Sequence, residues 1–134
     1  MVPVRFFRLV IFPETFEISG KGGNDRIIFI NNGVKFVYSR EGDDLFLIAS
    51  EFGIYTWQIY KYNDLAKDDI LTPGQKIYLE KKKGKAAYDY HTVKAGEDLK
   101  TISQTYGIRV KALCRLNLIQ PDFKIAEGDV LLLK

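Results

Sequence analysis

Leu45, Ile48, Ala49 and Phe52 keep the i, i+3, i+4, i+7 spacing of one helix face, and Leu99, Ile102, Ser103 and Tyr106 keep it again 54 positions later. Each apolar stripe follows an acidic turn, Glu41-Gly42-Asp43 or Ala95-Gly96-Glu97, and a capping aspartate, Asp44 or Asp98. A carboxylate there accepts a bond from an orphan backbone N–H and faces the positive helix end. Gly53 and Gly107 close these helices as left-handed stops. Shorter helices are expected over 57–62, with Thr56 as cap, and near 110–116. Asn63-Asp64 and Asn117 end them. The turns at Pro73-Gly74 and Glu127-Gly128-Asp129 then lead into short return strands, Lys76 to Glu80 and Val130 to Leu133.

The register between the copies is gapless. Gly42, Asp44, Leu45, Ile48, Gly53, Ile54, Asn63, Asp68, Gly74 and Leu79 recur as Gly96, Asp98, Leu99, Ile102, Gly107, Ile108, Asn117, Asp122, Gly128 and Leu133. Turn, cap and core positions repeat while surface positions drift, which marks a repeated supersecondary unit. The first copy opens on Val37 to Ser39 and the second on His91 to Lys94, so each reads βααβ. Its two strands pair antiparallel with both helices on one face.

The fold class is therefore α+β: two tandem βααβ units after an N-terminal β extension. The expected division is 1–32 for the extension, 33–80 for the first unit, 81–88 for a Lys-rich linker and 89–134 for the second unit. Within the extension, Phe6–Phe12 and Phe16–Ile18 are rich in strand formers. Arg26–Ile30 and Val34–Ser39 flank Asn31-Asn32-Gly33, a turn suited to positive φ. This hairpin should add an edge strand to the first unit's sheet.

Charge narrows the function classes. The net charge is +3, yet residues 33–80 carry five basic and eight acidic side chains, and residues 89–134 carry seven and six. The excess comes from Lys81, Lys82, Lys83 and Lys85, which read as a solvated, flexible tether rather than a polyanion-binding face, so no nucleic acid is expected. Tyr88 to Tyr90 are placed to dock the second unit on the first. No apolar run approaches the roughly 20 residues of a membrane span, and the N-terminus lacks a signal-peptide pattern. With the single cysteine, Cys114, no internal disulfide forms, and the thiol reads as structural. His91 stands alone on a strand. No metal or cofactor motif appears, and Asp43, Asp44, Glu97 and Asp98 read as turn and cap residues rather than a glycosidase pair.

The residues Thr92-Val-Lys-Ala-Gly-Glu-Asp-Leu99, Ile102, Tyr106-Gly-Ile108, Leu113, Leu116-Asn117 and Glu127-Gly-Asp-Val-Leu131 closely resemble the lysin motif (LysM) pattern. Val37 to Glu80 resembles a second, more divergent copy. The tandem, with NNGVKFV and TWQIYKYNDL, is also similar to the C-terminal part of N-acetylglucosaminidase-type envelope proteins of the Bacteroidetes. The resemblance implies a non-catalytic module that binds N-acetylglucosamine polymers, peptidoglycan or chitin. Its groove would lie between the first strand-to-helix loop and the loop before the last strand. Carried over by position, that is Gly42, Asp43, Asp44, Leu45 and Phe46 with Ile70, Leu71 and Thr72. In the second unit it is Gly96, Glu97, Asp98, Leu99 and Lys100 with Lys124, Ile125 and Ala126.

The family pattern has Thr or Ser at the positions of Asp44 and Asp98, so each groove gains a carboxylate, and Ser39 stands where Val93 is apolar. The second unit is thus the expected carrier of ligand and the first the expected scaffold. The implied setting is the cell envelope, periplasm or extracellular space, with this chain a monomer or part of a larger precursor. A structural or protein-interaction module with a silent groove is the alternative. Trp57 and Tyr60, whose mates are Lys111 and Cys114, are expected to be covered by the extension or the other unit. A sugar-stacking platform and a protein contact remain the other readings.

Overall fold

A computed structural model describes residues 16–134. The extension contributes β1 (Glu17–Lys21) and β2 (Ile27–Asn31). The first unit is β3 (Val34–Tyr38), α1 (Leu45–Phe52), α2 (Thr56–Tyr62) and β4 (Lys76–Tyr78). The second is β5 (Tyr90–Thr92), α3 (Leu99–Tyr106), α4 (Val110–Asn117) and β6 (Val130–Leu132). One antiparallel sheet runs β1-β2-β3-β4, and a separate antiparallel ribbon pairs β5 with β6. The βααβ pattern is thus present twice, and the hairpin widens the first copy's sheet as its sequence predicts. The strand expected at Phe6–Phe12 lies outside the described residues.

Asn32 and Gly33 both take positive φ, 55° and 74°, the geometry that lets a two-residue turn follow the right-handed twist of β2 and β3. Period-two alternation on β3 then serves two cores. Val37 faces the helices with Leu45, Ile48, Ala49, Ile59 and Ile77. Val34 and Phe36 face the opposite side with Phe29 and Tyr78. The second unit packs Val93, Leu99, Ile102, Ile108, Leu113, Leu131 and Leu133 into one core, and Cys114 is buried there, where loss of solvent pushes its thiol pKa up.

The duplication extends to single hydrogen bonds. Asn63 donates to Ile59 O (2.8 Å) and Tyr78 O (3.0 Å) and accepts from Tyr78 N (2.7 Å). Asn117 does the same with Leu113 O (2.8 Å), Leu132 O (2.9 Å) and Leu132 N (2.7 Å). In both units one side-chain amide ties the second helix to the return strand, which is why asparagine rather than a generic helix stop occupies this position.

Three local expectations are corrected. Thr56 is not a cap: Ile54 N already closes the preceding turn on Ala49 O, so Tyr55 is the extended residue before α2 and Thr56 is its first helical residue. Trp57 is 63 % exposed and so is not covered, whereas Tyr60 packs against the first core and donates to Lys67 O. Tyr88 and Tyr90 are also exposed, and the Tyr88 ring meets Tyr106 of its own unit rather than the first unit.

The Lys-rich segment is the largest surprise, because it is part of the fold. Lys82 is buried at 2 % exposure, and its Nζ donates to Asp64 Oδ2 (2.9 Å) and Ser103 Oγ (2.6 Å) as well as to Gln104 Oε1. Lys83 bridges Ile108 in parallel, through Lys83 N to Gly107 O (3.0 Å) and Arg109 N to Lys83 O (2.9 Å). Around this seam Tyr78 Oη donates to Gln104 O (2.6 Å), Asn31 Nδ2 to Thr105 O (2.9 Å) and Gln104 Nε2 to Lys76 O (3.1 Å). Gly107 fits because it has no Cβ. One built there would sit 3.1 Å from Asn32 Cβ and 3.2 Å from Asn31 O. Composition identified four lysines, but not that one of them points inward.

Candidate functional site

The strand-to-helix loop and the loop before the return strand come together in each unit through the same short bonds. Ser39 N donates to Gln75 O (2.9 Å) and Gly74 N to Ser39 O (2.9 Å); Val93 N donates to Asp129 O (2.8 Å) and Gly128 N to Val93 O (2.9 Å). The residue after the turn glycine also holds the loop tip. Gln75 Oε1 accepts from Thr72 N (3.1 Å), and Asp129 Oδ2 accepts from Ala126 N (2.9 Å). Ser39 is buried in place of an apolar residue because its hydroxyl donates to Thr72 O and accepts from Gln75 N (3.0 Å).

On the helix side, Asp44 Oδ1 accepts from Leu47 N (2.7 Å), and Asp98 Oδ1 accepts from Thr101 N and Thr101 Oγ1 (both 2.8 Å). Burial alone would raise the Asp98 carboxyl, but these bonds outweigh it and hold it below its ordinary value. Gly42 and Gly96 take φ of 87° and 82°, a left-handed turn that turns the chain into the helix. Leu45 and Leu99 point inward to the cores and are buried. Their side chains are therefore closed to a ligand.

Asp43 and Glu97 differ from a ligand-facing reading, since both carboxylates are turned into the protein. Asp43 accepts from Arg40 N (2.6 Å) and from both guanidinium ends of Arg26 (2.7 and 3.1 Å). Arg26 is 5 % exposed and also bonds Glu51 (3.2 Å), and its contact holds the Asp43 carboxyl well below the usual range. Glu97 accepts from Lys94 N (2.7 Å) and His91 Nε2 (2.8 Å). A carboxylate only accepts, so Nε2 donates to Glu97, and His91 Nδ1 shares a hydrogen bond with Tyr106 Oη at 2.7 Å. Burial would raise Glu97, yet the bonds from His91 and Lys94 leave it below its ordinary value.

His91 and Arg26 thus hold the two loops from different parts of the chain. Neither was legible as such, because Arg26 comes from the extension and the partner of His91 lies six residues on.

The expected groove positions differ in exposure between the units. In the first, Phe46 (63 % exposed), Ile70 (85 % exposed) and Thr72 are exposed and Leu71 is half-buried. Lys100, Lys124 and Ala126 are exposed in the second, with Ile125 half-buried. The backbone N–H groups of Leu45, Phe46, Leu99 and Lys100 have no acceptor among the described residues. They belong to the first helical turns, whose donors have no intrahelical partner. No cluster of metal-ligating side chains occurs among the described residues, and no helix there is long and apolar enough to cross a membrane.

Against known proteins, the family model described as "LysM domain" matches residues 40–79 and 91–134, well over half of the chain. An autolysin of Enterococcus faecalis (strain ATCC 700802 / V583) is 29 % identical over 92 residues, covering 62 % of this chain and 12 % of the autolysin. The spore cortex-lytic enzyme SleL of Bacillus cereus aligns at 27 % identity and a TM-score of 0.34, over 75 % of this chain and 22 % of the enzyme. SleL of Bacillus megaterium QM B1551 aligns at 23 % identity and a TM-score of 0.31, over 72 % and 21 %. The chain therefore spans a small part of the length of these relatives. With two βααβ copies in register and a family match on each, the chain belongs to the lysin motif family as a tandem LysM protein.

Proposed function

We propose that the chain is a non-catalytic carbohydrate-binding module that holds a larger envelope protein, such as a cell-wall hydrolase, on an N-acetylglucosamine-containing polymer, with peptidoglycan as the main ligand. LysM domains bind such polymers, and the observation that carries the reading is the duplicated pair of bonded loops. In both units unpaired helix-start N–H groups lie on the loop that is bonded to the one before the return strand. Donors of this kind suit the acetamido carbonyl, and the apolar rim of Phe46, Ile70 and Ile125 suits its methyl group and the sugar face. The four groove carboxylates are spent on capping and loop-holding bonds, which supports binding rather than hydrolysis.

Co-sedimentation with insoluble peptidoglycan tests this. The native chain should be retained, and the double variant Thr72→Trp/Ala126→Trp, which fills both grooves at exposed loop tips, should stay in the supernatant. Equal retention of the two would remove the grooves from the account. The protein-interaction reading is favoured by one observation, the exposed Tyr55 and Trp57 at the start of α2. It predicts capture of a partner from glycan-stripped envelope extract that Trp57→Ala abolishes while peptidoglycan retention is absent from the start.

A further inference from the structure

Between the units lies a cleft of about 750 Å3 whose lining takes in Asp98 and Lys100 of the second groove and no position of the first. That is within the roughly 300–1,000 Å3 of small-ligand sites. The first unit contributes Arg40 and Gln75 to its lining; the second contributes Lys100, Thr101 and Thr105. Lys100 also stands on the rim of the second groove, so cleft and groove share a wall. The seam of Lys82, Gln104 and Asn31 fixes the distance between the cleft's two sides, so its width does not depend on a flexible linker.

Among the described residues the cleft is lined by four cationic side chains, Arg26, Arg40, Lys76 and Lys100, against two carboxylates. The exposed Lys100 ammonium acts on the Asp98 carboxyl through space without a hydrogen bond, and the exposed Arg40 guanidinium, which acts likewise on Asp43, makes one bond among the described residues, Nη1 to Asn24 O at 3.2 Å. The two carboxylates that line the cleft are Asp98 and the exposed Asp25. Asp98 caps α3 through Thr101, and Asp25 lies 3.9 Å from Lys21 Nζ. At the matched positions of the first unit, Lys100 is replaced by Phe46, so this combination arises only where the units meet.

We propose that this cleft is a second subsite, one that takes the carboxylate-bearing substituent of a glycan strand whose sugar rings lie in the groove of the second unit. The inference rests on the proposed glycan binding and adds to it a preference for peptidoglycan, whose alternate sugars carry an acidic stem peptide on their lactyl group, over neutral chitin. An exposed guanidinium and an exposed ammonium lining one cleft supply charge-assisted donors for a carboxylate.

The test compares two probes on the whole chain: a neutral chitin oligomer and a soluble N-acetylglucosaminyl-N-acetylmuramyl peptide fragment of the same sugar length. The native chain should bind the carboxylated fragment about tenfold more tightly at low salt, with backbone shifts at Arg40, Gln75 and Thr105 in addition to those in the groove. Arg40→Gln, which keeps the backbone bond to Asp43, should remove most of that advantage and leave chitin affinity unchanged. Equal affinity for the two probes with groove shifts alone would overturn the cleft subsite while leaving groove binding intact. Absence of groove shifts with either probe would instead overturn the glycan reading beneath it.

Discussion

Arg26→Ala should destabilise the chain by about 3–5 kcal/mol, the range expected when one partner of a buried ion cluster is removed. Arg26 is 5 % exposed and holds two carboxylates that are themselves shielded, Asp43 at 13 % and Glu51 at 7 % side-chain exposure. Truncation leaves both without their counter-charge, and it also frees the strand-to-helix loop of the first unit. Arg26→Lys should recover only part of the loss, because an ammonium does not reproduce the two-pronged contact with Asp43.

The pH dependence gives the sign independently. Arg26 depresses the Asp43 pKa in the folded state, so this contribution is present above the ordinary value of 3.8 and is lost as pH falls through the lower folded value. The stability gap between native chain and variant, read by denaturant unfolding, should therefore narrow in acid below that value. A gap that stays constant would mean that packing, not charge, sets the effect.

Lys82→Ala should cost about 3 kcal/mol, at the lower end of the same range because Asp64 keeps 32 % side-chain exposure. The more telling outcome is cooperativity. In the native chain the two units share the Lys82 seam and should unfold in one transition by calorimetry; in the variant the seam loses its central donor, and the transition should broaden or split. Burial pulls the Lys82 ammonium below its ordinary 10.5, against the opposing pull of Asp64. The folded chain then gives up this proton before the unfolded chain does, so native stability should gain from this group as pH rises toward 10.5, a gain that Lys82→Ala lacks. A variant that unfolds as steeply as the native chain would show that the seam does not couple the units.

The duplicated unit was readable from spacing alone because helix stripes, capping aspartates and turn glycines are local signals. Leu45, Ile48 and Ala49 are buried as their spacing requires, and Gly53 and Gly107 take the left-handed conformation their positions imply. Contacts between distant segments were not readable in the same way. Nothing in the run Lys81 to Lys85 separates Lys82 from its neighbours until Asp64, Ser103 and Gln104 are brought around it.

The groove positions came from family resemblance, and the fold brings the two loops of each together. What resemblance did not reveal was that Asp43 and Glu97 face inward, since their partners Arg26 and His91 come from the extension and from β5. Trp57 ran the other way. A large aromatic with no counterpart in the other repeat suggested a cover, and the structure leaves it in solvent.

The central claim, that both duplicated grooves receive an amino-sugar polymer, is tested most directly by titrating the isotopically labelled chain with a soluble chitin oligomer and following backbone amide shifts. The account predicts shifts clustered at 42–46 with 70–72 and at 96–100 with 124–126, saturating together with ligand concentration. Shifts confined to the exposed face around Tyr55 and Trp57, or none in either groove, would contradict it.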